Sequence, residues 1–428
     1  MAESTDHPAG SNWAGNYTYG ATRLHRPETL AQVQDIVARA PRVHVLGSRH
    51  SFNGVADSVE LISLEAMTAE ATLPAHIDAD LEARTVSLGG GVKYGELADV
   101  LRDAGAALHN LASLPHISVA GAVATATHGS GVTNGNLATA VAALELVTST
   151  GDVIRSSRGD PDFEGMVVGL GALGAVTRLT LDIEPAFEVE QRVFEDLSWE
   201  MLYEHFDEIL SCGYSVSVFT RWGTNVEMVW VKSRTDAPDH PEDDLFGAVP
   251  AVVDRHPVVG LDPTPCTPQL GSRGLWSDRL PHFRMGFTPS SGHELQSEYL
   301  VPHRNAIGAL QAMHSLAERI RPILQGCEIR TVAEDRLWMS MSYGEPAVGF
   351  HFTWKPAPEP VWDLLGDLER ILSPFDARPH WGKVFRADAR TIALLYDRYA
   401  DFRDLLERVD PRGAFSNPWL QTHVLGGG

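Results

Sequence analysis

Between Ser113 and Asn136 the chain carries almost no charge, and the part from Gly121 to Gly131 is built mainly from glycine, alanine, serine and threonine. A second segment of small residues, Gly47-Ser48, precedes Arg49 and His50. Such residues let backbone N–H groups approach a ligand closely, and consecutive amides form an anion-binding nest. Tight turns and close packing are the alternative explanation. Two such segments in one region favour a large phosphate-containing cofactor.

Strand-like and helix-like segments alternate through the first third of the chain. A helical pattern runs through Leu30, Val33, Ile36 and Val37, and a strand is expected from Arg42 to Leu46. Further along we expect a strand at 84–88, a helix at 93–103, and a hairpin of 144–148 with 153–155 around Gly151-Asp152. This alternation predicts the α/β fold class.

The segment Gly169 to Gly174 matches the dinucleotide fingerprint G-x-G-x-x-G. That fingerprint has meaning only between a strand and a helix, because the pyrophosphate lies at a helix N-terminus. Here the following residues, Ala175 to Leu181, alternate and include β-branched side chains, which predicts a strand. We therefore do not expect a Rossmann site at these glycines.

The pattern changes near Pro185, and 428 residues are too many for one ordinary core. The next region has hairpin-like strands, a helical pattern from Arg304 to Arg319 and another from Pro360 to Leu372. We read it as a sheet with helices on one face that caps the first domain. The predicted domains are 1–185 plus about 386–428, which would bind the cofactor, and about 186–385, which would bind the substrate.

Two strands of this cap carry polar residues at alternating positions. Positions i and i+2 of a strand point to the same face. Glu328 and Arg330 therefore share one face, and His351, Thr353 and Lys355 share another, opposite an apolar one. An ordinary exposed sheet face explains each pattern alone. Two polar faces in one small sheet favour a carbohydrate pocket, which needs several oriented donors and acceptors.

The net charge of −22 would repel nucleic acid and anionic membranes, so neither is expected as a partner. No apolar stretch approaches the roughly 20 residues of a membrane-spanning helix. The start, Met1 to Asn12, does not resemble a secretory signal. Three cysteines without CxxC spacing indicate a reducing environment. Together these features predict a cytoplasmic protein, and nothing in them requires more than a monomer.

The lysines and histidines of the chain give further candidate residues. Lysine occurs at four positions among 34 basic residues, so Lys93, Lys232, Lys355 and Lys383 are candidates for a specific role. Most of the 18 histidines, His282 among them, are expected to be surface or packing residues. His116 and His128 suggest a metal, but a third ligand at suitable spacing is missing, so we expect no metal.

Five motifs together give the chain a family resemblance. They are Gly47 to Asn53 (GSRHSFN), Leu111 to Gly121 (LASLPHISVAG), Cys327 to Thr331 (CEIRT), His351 to Trp354 (HFTW) and His380 to Phe385 (HWGKVF). In this order the chain closely resembles the alditol oxidases among the FAD-linked oxidases of the vanillyl-alcohol oxidase type. The resemblance runs from Asn12 to Asn417. It implies the two-domain FAD-binding fold of that type, with an α+β substrate cap.

The resemblance also implies the roles of individual residues. His50 would form a covalent 8α-histidyl bond to FAD. The other residues that would contact the cofactor are Gly47, Ser48, Arg49, Ser51, Ser113, Ser118, Gly121, Thr125, His128, Gly129 and Val176. The alditol pocket would consist of Ser113, Glu328, Arg330, His351, Thr353 and Lys383, of which Glu328, Arg330 and Lys383 would be catalytic. Arg49 departs from the family pattern, which has glycine before the linking histidine, and this puts the backbone path of the turn in question.

The implied reaction converts the terminal primary alcohol of an alditol such as xylitol or sorbitol to the aldehyde. Hydride would pass to flavin N5, and O₂ would be reduced to hydrogen peroxide. A desolvated Lys383 beside Arg330 would accept the hydroxyl proton. Two alternatives remain open at this stage. One is a sugar-lactone (aldonolactone) oxidase or dehydrogenase on the same scaffold, and the other is a flavin-bound carbohydrate sensor without turnover.

Overall fold

The structure is a computed structural model that describes residues 8–67, 76–237, 241, 243–287 and 294–426. Met1 to His7, part of the start that was compared with a secretory signal, lie outside the described residues. Within the described ranges every helix is too short or too polar to cross a bilayer.

The strands of the described residues, numbered in chain order, are β1 (Arg23–His25), β2 (Val43–Val45), β3 (Glu60–Ile62), β4 (Ile77–Asp80), β5 (Thr85–Gly89), β6 (Ala106–Ala107), β7 (Val141–Val147), β8 (Val153–Ser157), β9 (Ala175–Asp182), β10 (Glu184–Pro185), β11 (Glu188–Ser198), β12 (Ser215–Thr220), β13 (Asn225–Arg234), β14 (Val249–Pro250), β15 (Ser272–Leu275), β16 (Leu295–Pro302), β17 (Leu324–Val332), β18 (Ala347–Trp354) and β19 (Arg378–Pro379). The α-helices are α1 (Leu30–Arg39), α2 (Tyr94–Asp103), α3 (Val119–Ala124), α4 (Phe163–Val167), α5 (Trp199–Glu204), α6 (Phe206–Leu210), α7 (Ala306–His314), α8 (Ala317–Ile320), α9 (Pro358–Leu372), α10 (Ala389–Leu395), α11 (Tyr399–Val409) and α12 (Pro418–Leu420).

Two sheets form the N-terminal part of the molecule. Strands β1, β3 and β2 make a parallel sheet, and β4, β5, β9, β7 and β8 make an antiparallel one in that order. Burial alternates residue by residue along β9, as the alternating sequence predicts for a strand with one buried face. Helix α1 begins after Thr29, whose hydroxyl accepts from the Gln32 N–H, and it buries Val33 and Val37. The predicted helices, strands and hairpin of this region are confirmed.

The G-x-G-x-x-G segment leads into β9 rather than into a helix, so the prediction against a Rossmann arrangement is confirmed. Gly171 and Gly174 have positive φ angles of 71° and 154°. A β-carbon on Gly174 would come within 2.6 Å of the Val147 carbonyl oxygen. These glycines serve a tight turn and a close approach between backbone segments.

The C-terminal segment returns to the N-terminal part. The Asn417 side chain donates to three carbonyls, those of Gly54, Val55 and Asp57, at 3.2, 3.0 and 2.8 Å. The His44 ring contacts the Phe415 carbonyl, and the Val43 N–H donates to Ala414. These bonds agree with assigning the last residues to the first domain. The domain boundaries themselves stay a prediction.

The central part of the chain forms a nine-stranded antiparallel sheet in the order β14, β11, β13, β12, β17, β18, β16 and β19, with β15 also paired to β11. Its register aligns polar residues from three strands. Glu328 of β17 lies opposite His351 of β18, which lies opposite Glu298 of β16. In the next row, Thr353 lies opposite Gln296.

Two details differ from the sequence prediction. The helix predicted from Arg304 to Arg319 is divided into α7 and α8, and the Ser315 hydroxyl donates to the Ala312 carbonyl at the division. Such a bond competes with the backbone ladder of a helix. The predicted polar face of β18 also ends at Thr353 and does not include Lys355. Lys355 follows the strand, is exposed, and donates to the Pro322 carbonyl.

Candidate active site

A deep cleft between the two parts of the molecule has an empty volume of about 1790 Å³, including the portion open to solvent. The predicted site residues that line it are Gly47, Ser48, Arg49, His50, Ser51, Ser113, Ser118, Gly121, Thr125, His128, Glu328, Arg330, His351, Thr353 and Lys383. The cleft is therefore lined both by residues predicted to contact the cofactor and by residues predicted to bind the substrate.

Two predicted cofactor residues do not line the cleft. Gly129 lies against Asn110 and Leu111, and a β-carbon there would come within 2.5 Å of the Leu111 carbonyl oxygen. Val176 lies in β9, and its carbonyl closely approaches Gly90. Both residues shape the backbone behind the wall of the cleft.

Small residues bring two backbone segments of the cleft wall together. The Ser118 N–H donates to the Ser48 hydroxyl at 2.9 Å. A β-carbon on Gly47 or Gly121 would come within 2.4 or 2.7 Å of the Ser118 hydroxyl oxygen. The missing side chains of Gly47 and Gly121 therefore make room for the Ser118 hydroxyl in the wall of the cleft.

His50 lies in the same wall, and its Nδ1 atom is buried without a hydrogen-bond partner among the described residues. The ring stacks on Trp13 with centroids 5.5 Å apart and an angle of 21° between the planes. Burial, together with the nearby charges of Lys383, His116 and Lys93, lowers the pKa of His50 to about 4. A backbone hydrogen bond to Ser48 opposes this shift. A neutral imidazole with an unpartnered nitrogen therefore faces the cleft.

The preceding residue, Arg49, has a φ of 61°, in the left-handed region that favours glycine. This is the position where the family pattern has glycine. The chain keeps the left-handed turn with an arginine, and the Arg49 carbonyl accepts from the Trp13 N–H at 2.8 Å. The chain therefore adopts a left-handed turn at this position with an arginine.

The opposite wall is the polar face of the nine-stranded sheet. Arg330 Nη1 lies 3.5 Å from the Ser113 hydroxyl, and Arg330 Nε lies 3.5 Å from Glu328 Oε1 without the geometry of a hydrogen bond. The Thr353 hydroxyl is 3.4 Å from His351 Nε2. The predicted pocket residues thus come together on one surface.

Glu298 is the central residue of this wall, and it was not predicted from the sequence. Its Oε1 accepts from Arg330 Nη2 at 2.9 Å and lies 3.0 Å from His128 Nε2, while its Oε2 is 3.1 Å from His351 Nδ1. Burial alone would raise the pKa of Glu298, but the charges of His128, Arg330 and His351 hold that pKa well below its usual range. The i, i+2 rule that identified Glu328 and Arg330 also relates Gln296 to Glu298, so the signal was present.

Lys383 reaches the same surface from the loop after β19. Its ammonium contacts Gln296 Oε1, and its backbone carbonyl accepts from the Asn53 side chain at 2.7 Å. Burial lowers the pKa of Lys383 to about 8, although Glu298 raises it in part. This amine is therefore mostly protonated at pH 7 and becomes mostly neutral above about pH 8.

His282, which was expected to be a surface or packing residue, is buried and also contacts the substrate wall. It is 5% exposed and its Nε2 lies 2.8 Å from Glu328 Oε1. Its backbone N–H donates to the Ser113 carbonyl at 3.1 Å. His282 comes from the loop between β15 and β16, so strand periodicity could not reveal it.

The structure separates the two histidines considered as metal ligands. His116 Nε2 contacts the Met285 carbonyl at 2.9 Å. His128 instead lies with Glu298 and His380, and one ligand atom from each falls within 4.8 Å of the others. Arg330 and His351 already engage both oxygens of Glu298. The expectation that the protein holds no metal stays a prediction.

Two protein families match the chain, one in each of its parts. The family described as "FAD binding domain" matches residues 21–157, and the family described as "D-arabinono-1,4-lactone oxidase" matches residues 291–423. An alditol oxidase of Streptomyces sp. is 50% identical over 420 residues, covering 96% of this chain and 98% of that protein. An L-gulono-1,4-lactone dehydrogenase of Mycobacterium tuberculosis is 28% identical and covers 98% of this chain and 99% of that protein.

Among solved structures, cholesterol oxidase from B. sterolicum has a TM-score of 0.78 at 14% identity and covers 97% of this chain and 96% of that one. At this identity the similarity concerns the fold alone. Together with the FAD-binding match, it confirms the predicted vanillyl-alcohol oxidase-type fold class.

The buried position of Glu298 leads to a stability prediction. Glu298→Gln should lower the free energy of unfolding by about 3 kcal/mol or more, because it leaves the buried Arg330 with one carboxylate fewer. Urea unfolding measures this difference. The native pKa of Glu298 is depressed, so its contribution is complete above about pH 4.5 and declines as the pH falls below that value.

The matched control is Glu318→Gln, at an exposed carboxylate paired with Arg321 three residues away. That change should have a much smaller effect, because exposed ion pairs contribute little. Equal losses in the two variants would contradict the central role of Glu298.

Proposed function

The chain belongs to the alditol oxidase family of FAD-dependent oxidoreductases, and from this premise we propose that it oxidises the terminal primary alcohol of an alditol such as xylitol or sorbitol to the aldehyde. Electrons would pass through FAD to O₂ and yield hydrogen peroxide. The observation that carries the proposal is the joint placement in one cleft of His50, Ser113 and the polar face of Glu328, Arg330, His351, Thr353 and Lys383.

The residues of the first wall fit an FAD. Gly47, Ser48, Ser118 and Gly121 would hold its phosphates against the backbone, because that wall accepts no larger side chains. His50 would form the covalent bond, since its ring is neutral and one nitrogen has no partner. When bound, the FAD supplies the two-electron acceptor for the alcohol carbon and passes those electrons to O₂.

The second wall would bind and activate the polyol. Ser113 and Glu328 would bind the hydroxyl next to the reacting carbon, and Thr353 with His351 would bind the distal hydroxyls. Neutral Lys383 would accept the proton of the reacting hydroxyl as a general base. The Arg330 guanidinium, oriented by Glu298 and Glu328, would stabilise the developing alkoxide.

A second candidate is oxidation of a sugar lactone, which the match of residues 291–423 to the D-arabinono-1,4-lactone oxidase family favours. The lactone-specific relatives are more distant in sequence than the alditol oxidase. A flavin-bound sensor without turnover is the candidate from another class, and the neutral fraction of the buried Lys383 argues for catalysis instead. We further propose that the protein works as a monomer in the cytoplasm without a membrane or nucleic-acid partner.

A substrate panel tests the proposed activity. The purified protein should release hydrogen peroxide and bleach its flavin rapidly with xylitol or sorbitol, and slowly with gulono-1,4-lactone. Preferred bleaching by the lactone would favour the second candidate. Flavin that no polyol or lactone reduces would favour the sensor.

The covalent bond has its own test. After acid precipitation, yellow flavin should stay with the pellet of the wild-type protein and leave the pellet of His50→Ala. His116→Ala is the matched control, because it removes a neighbouring histidine of the same cleft region, and its pellet should remain yellow. Flavin that washes out of the wild-type pellet would overturn the covalent assignment.

The role of Lys383 predicts both a rate and a pH dependence. Lys383→Met should slow flavin reduction by the polyol by about 10²–10⁴-fold, the range for loss of a general base. In the wild type the amine must be neutral to accept a proton. The rate of reduction should therefore rise with pH through the pKa of about 8 and level off above it. Stopped-flow absorbance measures both, with Lys355→Met as the control at an exposed lysine. Near-normal reduction in Lys383→Met would exclude this role.

A further inference from the structure

A line of buried side chains extends from the substrate wall into the nine-stranded sheet. Glu328 is followed by His282 and then by Lys232 of β13, and these residues are 6%, 5% and 1% exposed. Nothing in the proposed reaction uses Lys232 or His282. Burying a lysine away from water is costly unless its donors are satisfied, so its position requires an explanation.

The contacts of Lys232 account for all of its hydrogens. An ammonium has three donors and no acceptor. Lys232 Nζ lies within hydrogen-bond distance of three acceptors: the Leu280 carbonyl, the Pro281 carbonyl at 3.1 Å and His282 Nδ1 at 3.1 Å. Burial lowers the pKa of Lys232 to about 7. In its protonated form Lys232 cannot accept a hydrogen bond, so His282 Nδ1 accepts from it and carries no proton.

The tautomer of His282 follows from this contact. A neutral imidazole with a bare Nδ1 carries its proton on Nε2, and His282 Nε2 lies 2.8 Å from Glu328 Oε1. Burial and the Lys232 charge together lower the pKa of His282 to about 4, and the Glu328 carboxylate opposes both effects. The ring is therefore neutral and donates to the carboxylate.

Aromatic walls fix the plane of this ring. Phe219 and Trp230 pack edge-on against His282, with centroids 5.6 and 5.2 Å away and interplanar angles of 65° and 69°. The backbone N–H groups of His282 and Phe283 both donate to the Ser113 carbonyl. Residues 282–283 thus contact two pocket residues. The His282 side chain contacts Glu328, and the backbone N–H groups of both residues bind the Ser113 carbonyl.

We propose that Lys232 and His282 are positioning residues: Lys232 holds His282 as the Nε2–H tautomer, and His282 in turn orients Glu328 toward the substrate hydroxyl. The contacts of His282 and Arg330 with Glu328 are both made to Oε1, so we assign Oε2 to the hydroxyl. The role in substrate binding rests on the proposed function, but the tautomer does not.

Charge balance supports the same arrangement. Two buried carboxylates, Glu298 and Glu328, surround one guanidinium, that of Arg330. When it is protonated, Lys232 supplies a second buried positive charge near Glu328. The charged and titratable groups that act on Lys232 are Glu328, Cys266 and Arg330, and those that act on His282 are Lys232, Glu328 and Arg330.

The first test is Lys232→Met, which keeps the length of the side chain and removes its donors and charge. We expect kcat/KM for xylitol to fall roughly tenfold or more, mainly through KM, because Glu328 loses its fixed orientation. The pKa of His282 should rise once the neighbouring cation is gone. The limb that Lys383 imposes near pH 8 should remain, and protonation of His282 should add a second limb at lower pH that the wild type shows only at still lower pH.

Lys355→Met is the matched control, because it makes the same change at an exposed lysine that also donates to a backbone carbonyl. Its kcat, KM and pH profile should equal those of the wild type. A Lys232→Met protein that also keeps the wild-type KM, kcat and pH profile would overturn the proposal.

A second pair of variants decides the matter if Lys232→Met does not fold. His282→Gln keeps one donor and one acceptor without a titrating group, whereas His282→Phe keeps neither. The glutamine variant should retain clearly more xylitol activity than the phenylalanine variant and should show only the acid limb that Lys383 imposes near pH 8. Equal KM values in the two variants would contradict a positioning role.

The tautomer is tested directly by nitrogen NMR of the histidine rings in the wild-type protein, with the His282 signals assigned by their loss in His282→Gln. We expect a proton on Nε2 and none on Nδ1 at pH 7. A proton on Nδ1 would overturn the proposal. If the wild type fails to oxidise any polyol, the proposed function fails, and this measurement still tests the tautomer independently.

Discussion

The arrangement of the cleft depends on one guanidinium shared by two buried carboxylates. Arg330 lies between Glu298 of β16 and Glu328 of its own strand, and the polar groups involved are largely hidden from water. A buried charge without a partner is strongly destabilising, so each of the three groups restricts where the other two can lie. A one-residue slip of β16 would turn Glu298 to the apolar face and leave Arg330 short of a partner. The register of the sheet and the shape of the substrate wall are therefore set by the same ion pairs.

Much of the fold could be predicted from periodicity. The alternation along β9 and the i, i+2 spacing in β17 and β18 depend on strand geometry alone, so they gave both the strands and the polar face. Glu298 follows the same rule from Gln296 and could have been found in this way. The division between α7 and α8 was not predicted. The Ser315 hydroxyl donates to the Ala312 carbonyl at this point, and the periodicity of apolar residues does not indicate such a bond.

Other parts of the site depend on contacts that no local pattern contains. His282 reaches Glu328 from a loop 46 residues earlier in the chain, and Lys232 completes that contact from β13. The lysine count singled out Lys232 as unusual but could not say what it touches. Conversely, Gly129 and Val176 lie near cleft residues in sequence, yet neither of them lines the cleft. Sequence motifs indicate which segments form the wall of the cleft. Tertiary packing determines which residues of those segments line the cleft.

The last residues of the chain have a consequence for biosynthesis. Asn417 satisfies the carbonyls of a loop more than 350 residues earlier, and Phe415 packs with Val33, Val37 and Ile62 in the same core cluster. None of these contacts can form while the ribosome is still translating the middle of the chain. The core cluster around α1 and β3 can therefore be completed only after residues 414–417 have been synthesised, although α1 and β3 are made first.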